Sequence, residues 1–332
     1  MENAAQLLRL YGLRYKGASR ERAFFKCAVD KGIKAVKKAE NKLENIEAVL
    51  AAHMVKEKLY ACGIATNRFD LANDGLPYAV IGNDLYTVSN YINANPVSFA
   101  EPEAFMKVVA VVAKMHKVCR VSDVPLSYSN AARSKASSFC VEDIYQKNVR
   151  ALREYKRYVH KKSHVSDFDI IFVDNYDRFM AVLSEWKTSV KETCREQLEC
   201  AAIVNKNICH NLLKEENVLI GNNGELILTG FSQVSLAHGM NDLAALIKRY
   251  VKARPEDIVS LEELLEVYGK VNTIGRDETR YLKSLLLFPD KFLEICHSYY
   301  SKRRAFTPRA FESRMETFIE NYEFYERYIG SF

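Results

Sequence analysis

The run His210-Asn211-Leu212-Leu213-Lys214-Glu215-Glu216-Asn217 has the spacing of a phosphoryl-transfer catalytic loop. In that pattern a His is followed by any residue, an Asp that meets the attacking hydroxyl, four residues, and an Asn that holds magnesium. Here Leu212 stands at the Asp position. Thirteen residues past Asn217, where a second metal-binding Asp would precede Phe after an apolar strand, the chain reads Leu226-Ile227-Leu228-Thr229-Gly230-Phe231-Ser232. Gly230 takes that Asp's place. Leu212 can neither orient a hydroxyl nor accept a proton, and Gly230 offers no metal ligand, so two contributions to transition-state stabilisation are missing together. Glu215 and Glu216 are substitute acids in the same loop, but their positions aim them elsewhere in the usual geometry.

The remaining parts of a phosphoryl-transfer site are uneven. Lys37 ends a strand-like run from which an ammonium reaches the α- and β-phosphates of a nucleotide, and equally reads as an exposed strand-end lysine. Its carboxylate partner is expected on the following helix, with Glu47 first and Glu44 next. A glycine-rich phosphate loop is missing, because Gly17 is the only glycine between Tyr15 and Lys31. Without its acidic partners, Asn217 is expected to brace the loop by hydrogen bonds, and His210 to be a structural imidazole. Asp242 opens a helix where an acid caps the end and accepts hydrogen bonds from the loop. These residues form, at most, a vestigial nucleotide site of Lys37, Glu47 and Asn217, with His210 and Asp242 structural.

The elements that must position them follow from periodicity. Alternation over Ala23–Val29 and Ile33–Lys37 around Asp30-Lys31-Gly32 predicts a hairpin. Apolar spacing over Glu44–Cys62 predicts an amphipathic helix, and Tyr78–Ile81 and Asp84–Val88, joined by Gly82-Asn83, predict two more strands. After Asn93-Ala94-Asn95-Pro96 the chain turns helical, beginning with Pro102–Lys117. Residues 136–203 are largely helical, with Lys147, Arg150, Arg153, Arg157 and Lys161 forming a basic stripe that reads as a solvated face or a dock for an acidic partner. Short strands around 218–220 and 226–228 interrupt the helices, which resume from Asp242. The C-terminal aromatics Tyr322, Phe324, Tyr325 and Tyr328 are expected on the core in preference to a partner site.

Composition bounds the function. At 332 residues, with 48% hydrophobic and 27% charged residues, the chain reads as a folded protein with a large core. A net charge of +6 is too small for a polybasic nucleic-acid binder. No apolar run reaches the length of a membrane span, and the N-terminus lacks an export pattern, so synthesis in a cytosol is expected. Eight scattered cysteines form neither a disulfide framework nor a zinc motif and read as reduced, mostly buried thiols.

The ordered pieces Gly32-Ile33-Lys34-Ala35-Val36-Lys37, Asp74-Gly75-Leu76-Pro77-Tyr78, Leu85–Ile92, Ala113-Lys114-Met115-His116, Ser166-Asp167-Phe168-Asp169, Ile208-Cys209-His210, Asn217-Val218-Leu219, Asp242-Leu243-Ala244, Phe288-Pro289 and Tyr299-Tyr300 resemble the CotS family of bacterial spore coat proteins. That family is similar to aminoglycoside and choline phosphotransferases. The resemblance implies an α+β, bilobal protein-kinase-like fold: a small β-rich N-lobe over 1–92 and a large helical C-lobe over 93–332, with a degenerate catalytic loop at 208–217 and a metal-loop remnant at 226–233. It also implies expression in the mother-cell cytoplasm, deposition on the spore coat, and other coat proteins as partners. Because Leu212 and Gly230 replace both acids, the expectation is a pseudokinase with a structural or interaction role, no cofactor, no nucleic acid and no membrane span. The alternatives are an atypical ATP- and magnesium-dependent small-molecule phosphotransferase and a nucleotide-binding switch without turnover.

Overall fold

The computed structural model describes residues 4–21, 23–119, 141–253, 257–301 and 308–330. Near its start, strands β1 (Tyr15–Arg20), β2 (Phe25–Val29), β3 (Gly32–Glu40), β5 (Ala79–Ile81) and β6 (Asp84–Asn90) form an antiparallel sheet in the order β1-β2-β3-β6-β5. The β2–β3 turn needs Gly32, whose φ of 111° suits only a residue without a side chain. Val36 pairs with Val88, and Lys37 with Thr87. Because side chains alternate across a strand, these neighbouring pairs point to opposite faces of the sheet.

One face is closed by α1 (Ala4–Arg9): Leu7 and Leu8 join Tyr11, Cys27, Val29, Val36, Tyr86 and Val88 in a small core. Lys37 lies on the other face of the sheet, and α2 (Leu43–Ala61) packs against β6 of the same sheet. The predicted hairpin, helix and following strands are therefore present, but α1 and β1 were not anticipated. β1 is an edge strand with nearly every side chain exposed, so its sequence carries no apolar alternation to read.

The rest is mainly helical. Strands β4 (Ala65–Thr66), β7 (Asn95–Pro96), β9 (Val218–Ile220) and β10 (Leu226–Leu228) form a second small sheet, and β8 (Ile208–Cys209) pairs with β11 (Ser235–Leu236). Around them lie α3 (Pro102–Val118), α4 (Val141–His160), α5 (Asp167–Lys191), α6 (Arg195–Val204), α7 (Met240–Ala253), α8 (Leu261–Val271), α9 (Arg276–Leu287), α10 (Asp290–Ser301) and α11 (Pro308–Gly330). The apolar stripe of α3 packs against α7 and α8, and Phe105 stacks on Tyr250 at 4.1 Å.

A separate aromatic core joins α4, α5, α10 and α11, with Phe179 stacked on Phe292 and Phe168 on Tyr299, both at 3.8 Å. The α5 helix starts at a capping box in which Ser166 and Asp169 exchange hydrogen bonds with each other's backbone. The C-terminal aromatics are core: Tyr322 and Tyr328 are buried, and the Tyr325 hydroxyl donates to the Leu286 carbonyl at 2.6 Å. No helix among the described residues is long and apolar enough to cross a membrane. Among the described cysteines none is in a disulfide; Cys27, Cys119, Cys209 and Cys296 are buried, and Cys194 and Cys200 are exposed. Cys140 lies outside the described residues.

Candidate functional site

The loop from His210 to Asn217 leaves β8 and ends in a 3-10 turn (Glu215–Asn217) that leads into β9. Its ends are fixed from behind by Asp242, in the first turn of α7 and only 1% exposed. One Asp242 oxygen accepts the His210 N–H at 2.6 Å and lies 3.1 Å from His116 Nε2, while the other accepts the Asn211 N–H at 2.8 Å. His116 Nδ1 in turn meets the Tyr268 hydroxyl at 2.8 Å.

Burial would push the Asp242 carboxyl upward. The His116 hydrogen bond, the charges of His116 and His210 and the His210 N–H together outweigh it and hold the group below the usual carboxylate range. His210 is lowered by burial. Its neutral ring donates from Nε2 to the Thr229 carbonyl at 2.8 Å, and Nδ1 accepts the Leu212 N–H at 3.2 Å. Asn211 adopts a left-handed φ of 60°, which aims its carboxamide at the Gln233 carbonyl and Ser235 Oγ, both at 2.8 Å. His116, Cys209 and Asp242 cluster closely enough to suggest a metal. Asp242 is already saturated by backbone and His116, so the cluster is a hydrogen-bonded brace.

The middle of the loop is different. The Asn217 carboxamide turns inward and donates from Nδ2 to the Leu212 carbonyl at 2.8 Å, while the Asn217 carbonyl accepts the Thr229 N–H at 2.9 Å. Gly230 has a left-handed φ of 79°, and a Cβ built on it would come within 2.6 Å of Asn217 Nδ2 and closer to Cγ and Oδ1. The Asn217 side chain thus fills the space that a side chain at position 230 would enter. Neither substitute acid is directed here: Glu215 accepts the Phe99 N–H at 2.7 Å, and Glu216 pairs with Lys214 at 3.1 Å.

One consequence is measurable. Gly230→Asp must expel the Asn217 carboxamide and break its bond to Leu212, so a loss of about 1–3 kcal/mol is expected in urea unfolding. Asn217→Gly in the same chain should recover most of the overpacking part of that loss; an additive loss in the double variant would show that the two side chains do not compete for this space.

On β3, Lys37 is reached by solvent, yet enough protein surrounds it that burial lowers its pKa. Among the described residues neither Lys37 nor Glu47 takes part in an ion pair. The Lys37–Glu47 pair expected from the sequence is not formed, and Glu44 is exposed. Lys56 of α2 is 3% exposed and feels the Lys37 charge. Burial, and then the neighbouring Lys37 charge, bring Lys56 down to about 7. Its Nζ rests 3.5 Å from the centre of the Phe69 ring. Phe69 bridges Ser89 of β6, two residues along from the Thr87 that pairs with Lys37.

Sequence reasoning passed over Lys56, although a signal was present. It lies four residues after Ala52 and three before Leu59, on the stripe that α2 buries.

On α4, Arg150, Arg153 and Arg157 are exposed beside Lys156 and His160, around a groove of about 470 Å³ floored by Tyr176.

An antiparallel sheet region joined to a larger helical part, with a His-to-Asn loop braced by a buried Asp, is the protein-kinase-like fold as small-molecule phosphotransferases use it. The chain superposes on an aminoglycoside phosphotransferase from Alicyclobacillus acidocaldarius with a TM-score of 0.81 at 17% identity, covering 98% of this chain and 94% of that one. It is also similar to a spectinomycin phosphotransferase in complex with ADP and spectinomycin (TM-score 0.59, 13% identity, 98% and 93% covered). A Plasmodium vivax ethanolamine kinase matches at a TM-score of 0.51 with 12% identity, covering 92% and 80%.

The particular family is set by sequence: the model of the spore coat putative kinase YutH matches residues 82–332, and the chain belongs to that family. No curated protein matches the chain.

Proposed function

We propose that this member of the family is a pseudokinase: a two-lobed scaffold, dividing near residue 92, that serves as a structural or interaction component of the spore coat without transferring phosphate. The observation that carries this reading is the Asn217 carboxamide, bonded to Leu212 and seated over Gly230, where a metal-binding acid would need room. Magnesium takes hard oxygen donors, usually including a carboxylate, and this loop directs none at that space. The frame around it, from Asp242 to His210 and Asn211, supports a retained shape with the chemistry released.

The chain would be made in the mother-cell cytoplasm and act among other coat proteins, with the basic groove of α4 as one surface for an acidic partner. Incubation with γ-labelled ATP, magnesium and aminoglycoside, choline or ethanolamine acceptors is expected to give no transfer or hydrolysis above a protein-free blank. Turnover that disappears in Lys37→Ala would overturn the reading and establish a phosphotransferase.

A further inference from the structure

We infer that the basic row on α4 pairs with an acidic row on α11 of a second copy of this chain, the two helices lying antiparallel. Charge is concentrated at the first row. Between Asp143 and Asp167 the chain has seven Lys or Arg residues and one acid, Glu154, an excess of 7 − 1 = +6 that equals the net charge of the whole sequence. The rest of the chain is balanced.

Within that segment Lys147, Arg150, Arg153 and Arg157 recur every three or four residues, on the side of α4 away from buried Leu152 and Val159. All four are exposed, and among the described residues none of them is in an ion pair. Beside the row, Tyr176 is 8% exposed at the floor of the groove, and its hydroxyl makes no hydrogen bond among the described residues. The row is narrow, with Glu154 along one flank and Asp177, paired with Lys156 at 3.5 Å, along the other. Flanking acids repel a broad anionic surface such as a membrane or a nucleic-acid duplex, so a slender acidic partner fits best.

Such a partner lies on α11. Glu312, Glu316, Glu320 and Glu323 follow one another at the same spacing, on the side away from buried Met315 and Tyr322, and the last three are exposed. Glu316 and Glu323 have no ion-pair partner among the described residues. In antiparallel register the two orders agree: Asp143 meets Arg327, and then Lys147, Arg150, Arg153 and Arg157 meet Glu323, Glu320, Glu316 and Glu312 in turn. At the helical rise the four cations span about 15 Å and the four acids about 17 Å. The match stops at Lys161, which would face Arg309. Both helices pack on α5 and α10 with these rows outward, so each copy offers one row of each sign.

This inference rests on the interaction role proposed above and names the acidic partner of the α4 groove; it is independent of turnover. A monomeric parent would leave the inactive-kinase reading standing, and phosphate transfer would leave the pairing standing.

Sedimentation velocity of the full chain tests it. Exposed ion pairs are individually weak and screened by salt, so association into two chains or more is expected in about 50 mM salt, weakening by about tenfold or more in about 0.5 M salt. Lys147→Glu with Arg153→Glu, and separately Glu316→Lys with Glu323→Lys, should each give a monomer that melts within about 2 °C of the parent, because all four sites are exposed. An equimolar mixture of the two double variants should associate again, since the reversed positions then face each other with opposite sign. A parent that stays monomeric in low salt, association that survives either double variant, or a mixture that stays monomeric would overturn the proposal. Capture of poly-glutamate by a monomeric parent would overturn it too, and would assign the α4 row to a separate acidic chain.

Discussion

Asp242→Ala is expected to lower the unfolding free energy by about 3–5 kcal/mol, because it removes one partner of a buried network and leaves the others unpaired. Three groups lose their acceptor at once: the His210 and Asn211 N–H groups and the His116 ring. Urea unfolding measures the loss directly. A change under about 1 kcal/mol would mean that water or a neighbouring side chain takes over the carboxylate's bonds.

The same residue shapes the acid limb of stability. A carboxyl held below its unfolded value stabilises the fold above that value, and the contribution is lost as pH falls through the folded one. For Asp242 the loss therefore lies below about pH 4. His210 adds an earlier decline, since its folded value is depressed by burial and the unfolded chain takes up a proton below about pH 6.5 that the folded chain resists. Asp242→Ala should flatten the lower part of this limb and, by removing a charge that favours protonation of His210, steepen the upper part.

The second large effect lies at alkaline pH. Burial holds Lys56 near 7 against an ordinary value of 10.5, so between those values the unfolded chain binds a proton that the folded chain does not. Stability is then expected to rise with pH across that window, by on the order of 4 kcal/mol in total from this group. The charges acting on Lys56 are Lys37 from β3 and Glu57 from its own helix, with His53 one turn away. Above about pH 10 the trend reverses, because buried tyrosines such as Tyr268 and Tyr281 have raised values and resist the ionisation that the unfolded chain undergoes. Denaturant unfolding from pH 7 to pH 10, compared between the parent and Lys56→Met, isolates the lysine. Parallel curves would show that Lys56 keeps its proton through local hydration.

What the sequence disclosed and what it withheld divide on physical lines. His210, Asn217 and Asp242 were legible because a catalytic loop is a fixed spacing along the backbone, and spacing survives the loss of the acids. The helix over 43–61 was legible through its periodicity, and so was the hairpin through Gly32. The inward turn of Asn217 was not, because a side-chain direction is set by the space that Gly230 leaves, and the two are separated by a strand pair. The absence of a Lys37–Glu47 ion pair among the described residues has a related reason. Glu47 has the chemistry of an ion-pair partner, but which turn of α2 faces the sheet depends on how the helix packs, and the α2 side chain whose pKa the Lys37 charge lowers is Lys56. β1 escaped notice because an exposed edge strand has no buried face to pattern it.

The Asp242 brace also bears on how the molecule moves. The His210 and Asn211 amides, bonded to a carboxylate that is almost wholly enclosed, can exchange with deuterated solvent only when α7 separates from the loop, an opening that ruptures the central core. These two amides therefore belong with the slowest-exchanging set in the chain. A loop with the spacing of a phosphotransferase catalytic loop is thus expected to open together with the core and not ahead of it, so this segment would act as a girder of the fold.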